Sequence, residues 1–225
     1  MNRYGVVIPA FNASATIRET LQSVAAQTLR PERVVIVDDG SGDDLAAAIV
    51  GIDLPLELLR QDNAGPGSAT TSGIAALSTP FIATLDADDL WLPGKIEAQF
   101  VHLERQPGAS GVFTHMRSFR DGEIDALAPT ATPGWSRSTM MIRREVAEAV
   151  GPILDPPGGR GEMIDWIARV REAGFVLDMI AEVLALRRIR PGSLSYGRDA
   201  TRDRGYLEVA RLAMLRRAQS KAGSS

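Results

Sequence analysis

Short apolar runs alternate with amphipathic segments through the first part of the chain. The run YGVVIPAF (4–11) predicts a strand, and in residues 14–29 Ile17, Leu21, Val24 and Leu29 recur near helical spacing. Ser14 precedes that helix as a suitable N-cap. The cycle then repeats: 33–37 predicts a strand, 43–52 a helix, 56–60 a strand, 67–77 a helix and 81–85 a strand. Strands and helices alternating in this way imply right-handed βαβ crossovers and a Rossmann-like, mainly parallel sheet flanked by helices, an α/β fold. Ligands of such sheets bind outside the carboxyl ends of the strands. Asp38 and Asp39, then Asp86 and Asp88, fall at two of those ends, so both acid clusters are expected on one edge.

After about residue 93 the pattern changes. Residues 93–106 predict a helix opened by Pro93, and 110–119 predict a strand of alternating character. A loop follows over 124–135, then strand and helix over 138–151. The segment PILDPPGGRG (152–161) is rich in turn residues and reads as a substrate-facing loop. Residues 162–174 predict a helix, 175–180 and 182–189 two strand-like pieces, and 202–223 a basic amphipathic helix closing the chain. The last residues, 221–225, carry no ordering signal.

Composition narrows the chemistry. The chain has 225 residues, 44% of them hydrophobic, enough to fill a sizeable core. With 25 Lys and Arg against 28 Asp and Glu there is no global basic field to attract nucleic acid. The lack of cysteine removes disulfides, thiolate nucleophiles and cysteine-based zinc sites, and two histidines, His102 and His115, make a poor metal set. The chain enters a strand within a few residues and contains no apolar run of membrane-spanning length, so a cytoplasmic protein without a transmembrane segment is expected.

The stretch FIATLDADDL (81–90) crowds Asp86, Asp88 and Asp89 together at a strand end. Each neighbouring carboxylate raises the cost of ionising the next, unless water or a cation offsets the charge. Mg²⁺ or Mn²⁺ is the natural counter-ion, held by one or two carboxylates and the phosphates of a nucleotide. The plain alternative is a strand-to-helix turn in which Asp88 or Asp89 caps the next helix.

Taken in order, VVIPAFN, SVAAQTL, VVIVDDGSGD, NAGPG and FIATLDADDLWLPGKI resemble the family 2 glycosyltransferases of GT-A fold. The resemblance is strong over about residues 4–105 and looser beyond. It implies transfer of a sugar from a nucleoside diphosphate donor, most simply a UDP-sugar, to an acceptor with inversion at the anomeric carbon, assisted by Mg²⁺ or Mn²⁺. It also implies one GT-A domain in which residues 1–105 form the nucleotide-sugar-binding half and 106–225 a smaller acceptor-side half. Position by position, it makes Pro9, Ala10 and Phe11 the nucleotide loop, with Phe11 stacked on the base. Asp39 would accept a hydrogen bond from the base, an apt role for an acceptor-only carboxylate. Asp88 would ligate the metal, Asp86 would face the ribose or the metal's water shell, and Asp89 would cap the helix after Pro93.

Inversion by direct displacement needs a base for the acceptor hydroxyl. The family places it near the start of a helix, within Gly-Glu-Asp-x-Asp. GEMIDW offers Glu162 and Asp165, three apart and on one helical face, with Met163 in place of the family's second acid. Either can serve, and Glu162 is favoured because it follows the glycine-rich loop directly. Where the family continues Arg-Asn after NAGPGSA, this chain reads Thr70 and Thr71. Positive charge for the diphosphate then falls to Arg60, Arg143, Arg187, Arg188 or Arg190, guanidinium being suited to bidentate phosphate contact. Arg190 lies in LALRRIRPGSLS (184–195), a region where some relatives carry a metal-binding histidine. Trp135 and Trp166 are candidates to stack on a sugar face. The final helix has a basic side suited to peripheral membrane or partner contact.

Two rivals to the transferase stand. A non-catalytic nucleotide-sugar-binding protein would keep the pocket without turnover. A sugar nucleotidyltransferase should carry a glycine-rich, basic loop after its first strand, which IPAFNASAT lacks. The acceptor class is open.

Overall fold

The computed structural model describes residues 2–121, 124, 128–190, 201 and 203–222. The first part follows the expected alternation: β1 (Tyr4–Ala10), α1 (Ile17–Ala25), β2 (Arg33–Asp39), α2 (Leu45–Ala48), β3 (Leu56–Gln61), α3 (Pro66–Ala76) and β4 (Phe81–Thr84). Then come β5 (Leu90–Trp91), α4 (Lys95–Arg105), β6 (Ala109–Arg120), β7 (Thr132–Pro133), a 3₁₀ turn (Arg137–Thr139), β8 (Met141–Arg143), α5 (Arg144–Val150), α6 (Glu162–Glu172), β9 (Val176–Ile189) and α7 (Arg204–Ala222). The sheet runs β3-β2-β1-β4-β8-β6-β9-β5, with β7 hydrogen-bonded to β6. Strands β1 to β4 are parallel to their neighbours in that group, as β6 is to β9. β8 enters antiparallel between β4 and β6, and β5 lies antiparallel on β9. The fold is α/β with a mainly parallel sheet flanked by helices.

Strand periodicity sorts the core into two layers. Val6, Ile8, Val34 and Ile36 face the layer shared with Ile17, Leu21 and Val24 of α1 and with Ile96 and Phe100 of α4. Val7, Val35 and Val37 point the other way, against Ala69 of α3 and Trp166, Ile167 and Val170 of α6. Successive side chains alternate between faces, so a strand apolar at every position requires cover on both sides.

Local departures from expectation have local causes. The helix expected over 43–52 shortens to the single turn α2, capped by Asp44, whose carboxylate accepts the Ala47 N–H at 3.0 Å. The two strand-like pieces near 175–189 form one strand, β9, which keeps its pairing with β6 through register shifts around His115. Ser14 does not cap α1. Its N–H instead donates to Asp43, and Thr16, just before α1, and Thr20, within it, donate their hydroxyls to the Ala87 carbonyl at 2.9 and 3.0 Å. This ties α1 to the acidic turn after β4. In α7 the apolar residues do not form one packed stripe: Val209 is buried while Leu207 and Met214 are exposed. Arg216 joins α7 to α6 by donating to Asp165 and Glu172. Part of the loop expected over 124–135, the whole of LALRRIRPGSLS beyond Arg190, and residues 223–225 lie outside the described residues. Among the described residues no helix is long and apolar enough to cross a membrane.

Lys95 is wholly buried in the first layer, its Nζ donating to Gln99 Oε1 at 2.8 Å and standing 4.2 Å over the Trp91 ring. Burial pushes its ammonium well below the ordinary lysine range. The unfolded chain therefore binds more protons than the folded one between the depressed value and the ordinary one, and stability rises with pH across that window. Melting temperature should climb between about pH 8 and about pH 10 in the wild type relative to Lys95→Met. Parallel pH profiles for the two proteins would mean that Lys95 keeps its proton in the folded state.

Candidate active site

The parallel strands deliver their carboxyl ends to one cleft of about 680 Å³. Pro9, Ala10, Phe11, Asp39, Asp86 and Asp88 all line it, as do Trp135, Glu162 and Arg190 from the later part of the chain. Phe11 is 51% exposed, an unusual state for a large aromatic residue at the end of a buried strand. Its position follows from Asn12, which adopts φ 50°. Asn12 accepts the Gly42 N–H at 2.8 Å and donates its own N–H to Ser41 Oγ at 2.9 Å, binding the two loops together.

The paired acids ending β2 divide their work. Asp38 accepts from the Ser41 N–H and from Arg60, each at 2.8 Å, which occupies Arg60 away from the cleft. Asp39 accepts from Gln61 Nε2 at 2.8 Å and from the N–H groups of Ala64 and Gly65, both at 2.9 Å. These donors fix the turn before α3 and leave one of roughly four acceptor directions of a carboxylate.

The acidic turn after β4 splits in the same manner. Asp89, expected to cap the next helix, is buried: its carboxylate accepts from Ser138 Oγ at 2.5 Å and from the Arg188 N–H at 2.9 Å. α4 opens at Gly94 without a side-chain cap. Burial, and then the charges of Asp86 and Asp88, push Asp89 well above the usual carboxylate range. Asp88 is raised first by burial and then by Asp86, with Arg190 Nε 3.4 Å from its Oδ2 acting against the rise.

The side chain joining the two parts of the cleft is Arg137, at the start of the 3₁₀ turn. Its Nε donates to Asp86 Oδ1 and its Nη1 to Glu162 Oε1, both at 2.6 Å. The guanidinium is buried, and although desolvation disfavours its charge, the two carboxylates hold its pKa above the ordinary arginine value. Sequence reading passed over Arg137, since a single arginine in GWSRSTMM has no spacing relation to either acid. Glu162 begins α6 behind Gly161, where the helix N-terminus favours a negative charge.

Several other candidates are placed elsewhere. Asp165 does not reach the cleft. Although it lies on the first turn of α6, its carboxylate is buried between Arg169, at 2.8 Å, and Arg216, at 2.9 Å. Arg188 is likewise withdrawn, because its guanidinium donates to Asp121, to Glu19 and to the Asp88 carbonyl. Arg187 and Arg190 line the cleft instead. Arg143 bonds the Ala109 carbonyl and lies over Phe81. Trp166 belongs to the core, donating to the Gly151 carbonyl at 3.1 Å. Trp135 is 37% exposed at the cleft, backed by Phe113 and Arg171. Tyr206 of α7 also lines the cleft, a contribution that the periodicity of its helix did not signal.

Among the described residues no group of three or more histidines, cysteines or carboxylates is assembled to hold a metal. Asp86 and Asp88 nevertheless fit a cation that takes few protein ligands. Asp88 is raised by burial and by its neighbour's charge, a strain that a hard divalent ion relieves.

Known proteins resemble this chain in sequence and in fold. Residues 5–151 match the family model described as glycosyl transferase family 2. The amylovoran biosynthesis glycosyltransferase AmsB of Erwinia amylovora is 28% identical over 208 residues, covering 81% of this chain and 68% of AmsB. The structure of S. aureus TarS 1-349 in complex with UDP-GlcNAc superposes with a TM-score of 0.75 at 16% identity, over 95% of this chain and 66% of TarS. The mannosyltransferase PcManGT of Pyrobaculum calidifontis, in complex with GDP-Man and Mn²⁺, gives 0.68 at 17% identity over 85% and 58%. The chain spans about half the length of several curated relatives it matches. With the family model covering well over half of the sequence and the GT-A fold shared with those structures, the chain belongs to glycosyltransferase family 2.

Proposed function

We propose that the chain transfers a sugar from a nucleoside diphosphate sugar, a UDP-sugar foremost, to an acceptor hydroxyl with inversion. The observation that carries this reading is the Arg137 bridge, which joins Asp86, after β4, to Glu162, at the start of α6, in one cleft. Residues 1–105 supply the nucleotide side: Phe11 stacks on the base and Asp39 uses its remaining acceptor direction for a base N–H. Residues 106–225 supply the acceptor side, with Glu162 as base and Trp135 against a sugar face.

Arg137 aims Glu162 through the bond from its Nη1 to Oε1. Glu162 takes the proton from the acceptor hydroxyl as that oxygen bonds to the anomeric carbon, and the bond from this carbon to the diphosphate oxygen breaks with the electron pair leaving on the diphosphate. Arg187 and Arg190 then face the charge that develops on the leaving group. Mg²⁺ or Mn²⁺ would be held by Asp88, with Asp86 on its water shell, and would supply further positive charge to the diphosphate.

Calorimetric titration with UDP, GDP and dTDP, with and without Mn²⁺, tests the donor side. One nucleotide, UDP on this reading, should bind in a Mn²⁺-dependent manner, and Asp88→Ala should lose that dependence. Absence of binding by all three would remove the transferase reading. Nucleotide binding with no sugar transfer to any acceptor would favour the non-catalytic alternative.

A further inference from the structure

Asp155 lies in the turn-rich segment between α5 and α6, seven residues before Glu162. Its Oδ1 accepts the Gly67 N–H and its Oδ2 the Ser68 N–H, each at 2.8 Å, so a carboxylate from this segment closes the N-terminus of α3. A second tie lies beside it. The Ile153 N–H donates to Thr71 Oγ1 at 3.0 Å, and the Thr71 hydroxyl donates to the Gly67 carbonyl at 2.9 Å. Thr71 is one of the two residues by which this chain departs from the family's usual Arg-Asn.

The approach is too close for larger side chains. A Cβ on Gly65 would stand 2.6 Å from Asp155 Cγ, and one on Gly67 would stand 2.9 Å from both Asp155 Oδ2 and the Ile153 carbonyl oxygen. The same turn is held from its other side by Asp39, through the Ala64 and Gly65 amides. Asn63, Gly65 and Pro66 of this turn line the cleft, as do Gly159, Gly161 and Glu162 beyond Asp155. Burial pushes Asp155 above the ordinary carboxylate range, its two amide bonds oppose that, and the charge of Glu162 adds to the rise.

We infer that Asp155 is a positioning residue coupling the two sides of the cleft: nucleotide bound on the 63–66 turn orders, through Asp155, the segment that delivers Glu162. The inference rests on the donor-site reading above. Between Asp155 and Glu162 the backbone passes three glycines of positive φ, Gly158, Gly159 and Gly161, so its path is not fixed by side-chain sterics and depends on such ties.

Amide hydrogen exchange with UDP and Mn²⁺ as the probe tests it on the full chain. In the wild type, nucleotide should slow exchange at 63–69 and also, on the order of tenfold, at 152–162. In Asp155→Ala the slowing at 63–69 should persist while 152–162 stays within about twofold of its nucleotide-free rate. A purely structural Asp155 would raise the free rate at 152–162 and leave the nucleotide-induced slowing in place, which would overturn the inference. Protection confined to 63–69 in the wild type would overturn it while leaving the donor site standing. Protection at neither segment would remove the donor site and the coupling together. Should Asp155→Ala lose its cooperative melt, Asp155→Asn keeps the size of the side chain but only one of its two acceptor oxygens, and undiminished protection of 152–162 in that variant would overturn the coupling.

Discussion

Glu162→Gln should lower sugar transfer by about 10²–10⁴-fold, the range typical of a lost general base, while leaving UDP affinity and melting temperature close to wild type. The expectation is sharp because glutamine keeps the side chain's length and its acceptor toward Arg137 Nη1, so little besides basicity is removed. The measurement is the rate of UDP release from the donor identified by calorimetry, in the presence of acceptor. Asp165→Asn is the paired control. Its carboxylate is enclosed by Arg169 and Arg216, so that change should appear in stability and leave turnover per folded molecule nearly intact. Full turnover by Glu162→Gln alongside its loss in a well-folded Asp165→Asn protein would reverse the assignment of the base.

Arg137→Ala should be the most destabilising single change at the cleft, about 3–5 kcal/mol, because it strips the partner from two partly buried carboxylates at once. At about 2–4 °C per kcal/mol for a chain of this size, the melting temperature should fall by roughly 6–20 °C. Transfer should fall as well, since Glu162 loses the group that aims it and Asp86 loses its ion-pair partner. Arg137→Lys should recover only part of either property, because one ammonium cannot present two donors in the planar fork that reaches Asp86 and Glu162 together. A double-mutant cycle with Glu162→Gln checks the origin of the effect. If the lost stability comes from orphaned charge, adding Glu162→Gln to Arg137→Ala should restore a measurable fraction of it, and strict additivity would count against the bridge.

Much of the cleft wall built by the first part of the chain was legible in sequence because its residues are local to strand ends. Phe11, Asp39, Asp86 and Asp88 each lie within three residues of the end of an apolar run, and the parallel-sheet rule carries them to one edge without knowledge of distant contacts. The wall built by the later part of the chain was less legible. Glu162 and Asp165 stand on the same helical turn, and spacing gives no ground to separate them. They diverge because Arg216, far along the chain on α7, reaches Asp165, whereas Arg137 reaches Glu162. Arg187 and Arg188 are neighbours on one strand, so alternation sends one into the cleft and the other to Glu19 and Asp121, but only the strand's register decides which.

The sequence alone determined the α/β class, the order of the strands and helices in the first part of the chain, and the family. Those properties follow from periodicity and from residues adjacent in the chain. The tertiary structure decided which carboxylate lines the cleft, which arginine joins its two parts, and that Asp155 closes α3 across a separation of 88 residues. Such pairings depend on the direction in which each side chain leaves its element and on what another element brings opposite, and neither is encoded by local spacing.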